Sequence, residues 1–141
     1  MNKSTDNLLE ELKAFADFGE FYNENKSEVA AVSLSDYLQE LITKKRLNKA
    51  DVVSQSEMSE VYVYQIISGI KTNPKREKLL CIAFGMKLSL TETQELLKKT
   101  GYAPLYAKRP FDAIIIYGLA KRLSVVEVNG LLFEYGQETL G

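Results

Sequence analysis

The chain of 141 residues has no histidine and no tryptophan, a single cysteine and only three prolines. Without histidine it lacks the usual general base, the Ser-His and Cys-His nucleophile pairs and the commonest metal ligand. One cysteine cannot close a disulfide within the chain, and there is no cysteine cluster to hold zinc. Cys81 lies in the apolar run Leu79 to Phe84, which predicts a buried core thiol. No stretch approaches the roughly 20 unbroken apolar residues of a membrane span, and Met1 to Asp6 carries no signal pattern. An enzyme would be left with carboxylate, lysine or tyrosine chemistry, and no spaced carboxylate pair marks a cleft. The expectation is a small, soluble, cytoplasmic protein without catalytic activity, cofactor, metal or membrane contact.

What is present is unevenly distributed. The net charge of −1 combines an acidic leader, three lysines against seven acids in residues 1–32, with a mildly basic middle, eight basic residues against six acids in residues 33–80. Residues 81–141 hold seven basic residues against six acids. In the leader, Leu8, Leu12, Phe15 and Tyr22 fall near one face at helical spacing, predicting an amphipathic helix over Asn7 to Tyr22, followed by a linker to about residue 33.

From Ser33, the stripe Leu34, Leu38, Leu41 and Ile42 predicts a helix that ends in Lys44-Lys45-Arg46, where the helix dipole favours cations. Asn48 can cap a second, short helix over Lys49 to Gln55, with Val52 and Val53 inward. Ser59 can cap a third through Val63, Ile66, Ile67 and Ile70, with Gly69 at its end. Asn73-Pro74 predicts the opening of a fourth helix, with proline at its first position, running to Phe84 and stopped by Gly85. Ser89 with Glu92 forms a capping box for a fifth helix to about Lys99, ended by Thr100-Gly101. The apolar segment Ala113 to Ala120 must be buried, and a second capping box, Ser124 with Glu127, starts a last helix bearing Val128, Leu131, Leu132 and Tyr135. The two read as a helical hairpin. No period-two alternation, internal repeat or low-complexity run is expected, so the fold class is all-α.

A short helix, a tight turn and a second helix crossing it make a helix-turn-helix. The run Leu47-Asn48-Lys49-Ala50-Asp51-Val52-Val53, then Met58-Ser59, Val63-Tyr64-Gln65-Ile66-Ile67-Ser68-Gly69 and Asn73-Pro74 resembles the phage-repressor-like (XRE) helix-turn-helix family. The resemblance implies a lambda-repressor-like helix-turn-helix domain over residues 33–100, preceded by the amphipathic helix and linker of residues 1–32 and followed by a C-terminal helical extension, residues 101–141. It implies a transcriptional regulator that sets the helix from Ser59 in the major groove of double-stranded DNA, with the helix from Asn48 across the backbone. By position, Lys49 would meet phosphate. Ser59, Glu60, Tyr62 and Gln65 would point outward, with Gln65 able to pair with adenine and Tyr62 to reach phosphate or a thymine methyl. Lys71, Asn73, Lys75 and Arg76 would grip phosphates beside them.

Simpler structural readings stand beside these. Lys44 to Arg46 can be a solvated helix end, Tyr62 and Tyr64 half-buried packing, and Glu60 a favourable charge at a helix N-terminus. Glu57 and Glu60 depart from the family pattern, because carboxylates there repel phosphate. Tyr102, Tyr106, Phe111, Tyr117, Phe133 and Tyr135 are assigned to hairpin core or a dimer surface and not to a base-stacking platform. Residues 113–120 could mediate a homodimer or fold back to extend one core. The alternative function is an interaction adaptor that keeps the fold and binds a protein partner through the leader helix or the C-terminal hairpin.

Overall fold

The computed structural model describes residues 5–14 and 32–141. Helix α1, Thr5–Ala14, belongs to a unit of its own and carries an exposed Glu10–Lys13 ion pair one turn apart. The rest of the expected leader helix, beyond Ala14, and most of the expected linker lie outside the described residues.

The second unit, Val32–Gly141, holds α2 (Leu34–Lys44), α3 (Lys49–Ser56), α4 (Glu60–Ser68), α5 (Arg76–Gly85), α6 (Leu90–Lys99), α7 (Pro110–Ala120) and α8 (Val125–Glu134). No strand occurs among the described residues. Five of these helices begin as their capping residues dictate. The side chains of Ser33, Asn48, Ser59, Ser89 and Ser124 each accept a backbone N–H from the first turn, and both expected capping boxes close. The core runs without interruption from Leu34 and Leu38 in α2, through Leu79 to Phe84 in α5, to Ile115, Leu119, Val128 and Leu132 in the last two helices. Segment 113–120 is therefore the wall of a shared core. Cys81 lies inside it, and burial pushes its thiol up to about 11.

Three expectations change. Pro74 does not open α5, which starts at Arg76 after an extended Lys75. Ile70 is not an inward position, because α4 ends at Ser68 and leaves Ile70 73% exposed in the following turn. Gly85 does not stop α5 but is its last residue, pressed against α3: a Cβ there would meet the Val52 carbonyl oxygen at 2.6 Å and Ser56 at 3.1 Å. The glycine is required by close approach of backbones.

The fold also contains an internal repeat that the sequence reading missed. Ser89, Glu92, Gln94, Leu96, Leu97, Gly101 and Leu105 return at one constant offset as Ser124, Glu127, Asn129, Leu131, Leu132, Gly136 and Leu140. The structure gives each pair one job. Gln94 accepts the Leu105 N–H (2.7 Å) and donates to its carbonyl (2.9 Å); Asn129 does the same for Leu140 (2.7 and 3.1 Å). The turns before α6 and α8 match as well. Lys87 and Arg122 hold φ of 54° and 59°, and the next residue, Leu88 or Leu123, donates back to Ala83 or Gly118. This is a Schellman cap with a cation where glycine is usual, at a backbone cost of about 1–2 kcal/mol. Units α5–α6 and α7–α8 are thus two copies of one helical pair with its returning loop.

Candidate nucleic-acid interface

Helices α3 and α4 pack together across the turn Glu57-Met58-Ser59, in which Glu57 takes a left-handed conformation (φ 58°) and Ser59 caps α4 by accepting the Tyr62 N–H. The inner face of α4, Val63, Ile66 and Ile67, is fully buried, as its spacing requires. The exit of α4 is held to α2: Ser35 Oγ and Gln39 Nε2 both donate to the Ile67 carbonyl, at 2.7 and 2.8 Å.

The outer face differs from expectation. Ser59 and Glu60 are exposed, but Tyr62 and Gln65 are half-buried and Tyr62 packs on the core. The residues that face solvent are Val61, 68% exposed, Tyr64 and Ser68. The inward stripe of α4 is narrow, and a residue one position before Val63 falls on its flank; one turn of helix rotates the outward set to Val61 and Tyr64. The 3.6-residue period narrows the outward set of α4 but does not fix its centre to within one residue.

Around this face, Lys49 at the start of α3 and Lys71, Thr72, Asn73 and Lys75 beyond α4 are exposed. The loop that carries the last four is fixed from both ends. Lys71 N–H donates to the Gln65 carbonyl, and the Tyr102 hydroxyl donates to the Pro74 carbonyl. Burial, then the neighbouring Tyr62, raises the Tyr102 pKa above its ordinary value.

Arg76 departs most from its expected role. Its guanidinium grips Asp112 through Nη1 and Nη2 at 2.9 and 3.0 Å, and donates to the carbonyls of Ala103 and Pro104 at 3.0 and 3.1 Å. With its donors turned inward, Arg76 is a joint between α5 and α7 and not a phosphate contact. Asp112 is only 2% exposed and also accepts the Tyr106 N–H. Burial alone would raise its pKa, but the Arg76 and Tyr106 hydrogen bonds outweigh it and hold the carboxyl below the usual aspartate range. Sequence reasoning missed this pair because its members are far apart in the chain, and an aspartate in the first turn of a helix already has a local explanation.

Lys45 likewise pairs with Glu92 at 2.8 Å, and that hydrogen bond, with the Ser89 N–H, lowers the Glu92 pKa. The end of α2 is therefore tied to α6 as well as solvated. Among the described residues, no group of three or more His, Cys, Asp or Glu is placed to hold a metal, and no helix is long and apolar enough to cross a membrane. No family model, curated protein or solved structure matches the chain.

Proposed function

We propose that the chain is a sequence-specific DNA-binding regulator of the phage-repressor-like kind, which sets α4 in the major groove of double-stranded DNA and grips the flanking backbone with Lys49, Lys71 and Lys75. The observation that carries this reading is the loop after α4, which is hydrogen-bonded at both ends. It presents Lys71, Asn73 and Lys75 to solvent while Tyr102 and Arg76 fix its far end from behind. Exposed cations on a loop whose backbone is held at both ends, flanking a short helix, suit a phosphate backbone, since each contact releases counterions. On α4 the base-facing set becomes Glu60, Val61, Tyr64 and Ser68: Val61 suits a thymine methyl and Glu60 a cytosine amino group.

The test is affinity for genomic fragments against salt concentration. Replacing Lys49, Lys71 and Lys75 singly by alanine is expected to flatten the log–log slope by about 0.9 each. Val61→Ala and Tyr64→Ala should change which sequences are selected and leave the slope alone. Absence of binding at low salt would sink the reading. It would favour the alternative of an interaction adaptor, which one observation supports: the outer face of α4 carries exposed Val61 next to the acid Glu60, with exposed Glu57 in the turn before the helix, a surface suited to a basic protein partner.

A further inference from the structure

The equivalent turns of the two repeat units border one cleft. Lys87-Leu88 and Arg122-Leu123-Ser124 line a cavity of about 390 Å³, and Gln55, in the last turn of α3, lies on its rim. Its floor is apolar, built from Phe84, Leu88, Leu119 and Leu123. That size, with an apolar lining and a few polar groups, is characteristic of a small-molecule site. Two cations stand over the floor without an acidic partner. Lys45 is paired with Glu92 and Arg76 with Asp112, but no carboxylate among the described residues pairs with Lys87 or Arg122. Arg122 is nevertheless held in place: Nη1 donates to the Lys87 carbonyl at 3.0 Å, which ties the two turns together and keeps Nη2 and Nε for another acceptor. The one acid on the rim, Glu127, is engaged by its own helix, where Oε1 accepts the Ser124 N–H at 3.1 Å.

We propose that this cleft binds a small amphipathic carboxylate, with its apolar body on Phe84, Leu119 and Leu123 and its carboxylate on Arg122 and Lys87. A guanidinium fork fits a carboxylate through two parallel hydrogen bonds, and the apolar walls strengthen that pair relative to water. Neither half of the molecule suffices alone. A bare anion forgoes the floor, and a neutral apolar compound leaves both cations unmatched. The rim carries two positive charges against one negative, so an anion is favoured over a cation of the same shape. An occupant would touch the end of α3 and the turns of both repeat units at once.

The experiment titrates 4-phenylbutyrate into the full chain, followed by calorimetry and by methyl NMR of leucine-labelled protein, without DNA, so its outcome is independent of the proposed function. Saturable binding with a dissociation constant below about 1 mM is expected, with the largest shifts at Leu88, Leu119 and Leu123. Acetate and 4-phenylbutyramide, each holding one half of the chemistry, should bind at least about 10-fold more weakly. Lys87→Gly and Arg122→Gly separate the site from the fold. Glycine suits the left-handed turn that both residues adopt (φ 54° and 59°), so each variant should melt no lower than wild type and yet bind 4-phenylbutyrate roughly 5- to 10-fold more weakly. Glu127→Gln keeps a capping side chain and should tighten binding a few-fold, most at low salt. The proposal is overturned by the absence of saturable binding up to about 10 mM, by shifts confined to other leucines, by either control compound binding as tightly as the acid, or by glycine variants that bind as wild type does.

Discussion

Units α5–α6 and α7–α8 share a cap, a turn, an amide clasp and a returning leucine, but they meet different surroundings. The first is embedded: Leu79, Leu80, Cys81, Ile82, Ala83, Phe84 and Gly85 are all buried, and α3 lies against it. The second is a wall with one free side. Ile115 and Leu119 are buried, while Tyr117, Phe133 and Tyr135 are exposed. The difference teaches that the conserved positions of the repeat build the pair itself, and that the positions that vary record what each pair is packed against. Glycine shows this directly. In the first unit it stands at Gly85, where α3 crosses; in the second it stands at Gly118, where an added Cβ would meet Val128 at 2.5 Å.

The joint between the units offers the largest effect. Arg76→Met or Asp112→Asn, each leaving the other charge unpaired, should cost about 3–5 kcal/mol in chemical denaturation, whereas replacing both by apolar residues should cost clearly less than the sum. The carboxyl is held below its unfolded value, so its contribution is complete above the ordinary aspartate range and disappears as pH falls through the depressed value. The stability gap between wild type and Asp112→Asn should accordingly be constant near neutrality and narrow below about pH 4.

Next come the amide clasps. Gln94→Ala and Asn129→Ala each leave a backbone N–H and C=O of the returning leucine without a partner, and each should lose about 2–3 kcal/mol. Equal losses would show that the two copies are energetic equivalents; a loss confined to one would break the comparison. Gly85→Ala should cost about 2 kcal/mol by forcing α5 away from α3. The equivalent change in reverse, Ala120→Gly on exposed helix, should cost about 1 kcal/mol by propensity alone. The smallest effect belongs to the turns: Lys87→Gly and Arg122→Gly should each stabilise by up to about 1 kcal/mol in thermal unfolding, as the left-handed strain is relieved.

The elements were legible because short-range chemistry writes them. Ser33, Asn48, Ser59, Ser89 and Ser124 announce helix starts within three residues, and the inner stripes of α2 and α4 repeat within two turns. Three kinds of information were not local. Arg76 and Asp112 come together only when α7 folds onto α5. The outward set of α4 depends on where its narrow buried stripe is centred, a shift of one residue that periodicity alone leaves loose. The repeat was obscured because only the positions that hold the pair together persist, and α5 and α7 share almost no side chains along their apolar runs: Leu79-Leu80-Cys81-Ile82 stands where the second unit has Ile114-Ile115-Ile116-Tyr117.

The double hydrogen bond from Ser35 and Gln39 to the Ile67 carbonyl has a thermodynamic corollary. A helix exit usually frays, and a ligand that docks on it must bear the loss of that freedom at the moment of association. Here two donors from α2 immobilise the last turn of α4 before any partner arrives. Whatever meets Val61 and Tyr64 encounters a surface whose ordering was completed during folding, so the entropy lost on docking falls on the partner and on a few exposed side chains, while the backbone of α4 contributes little to it.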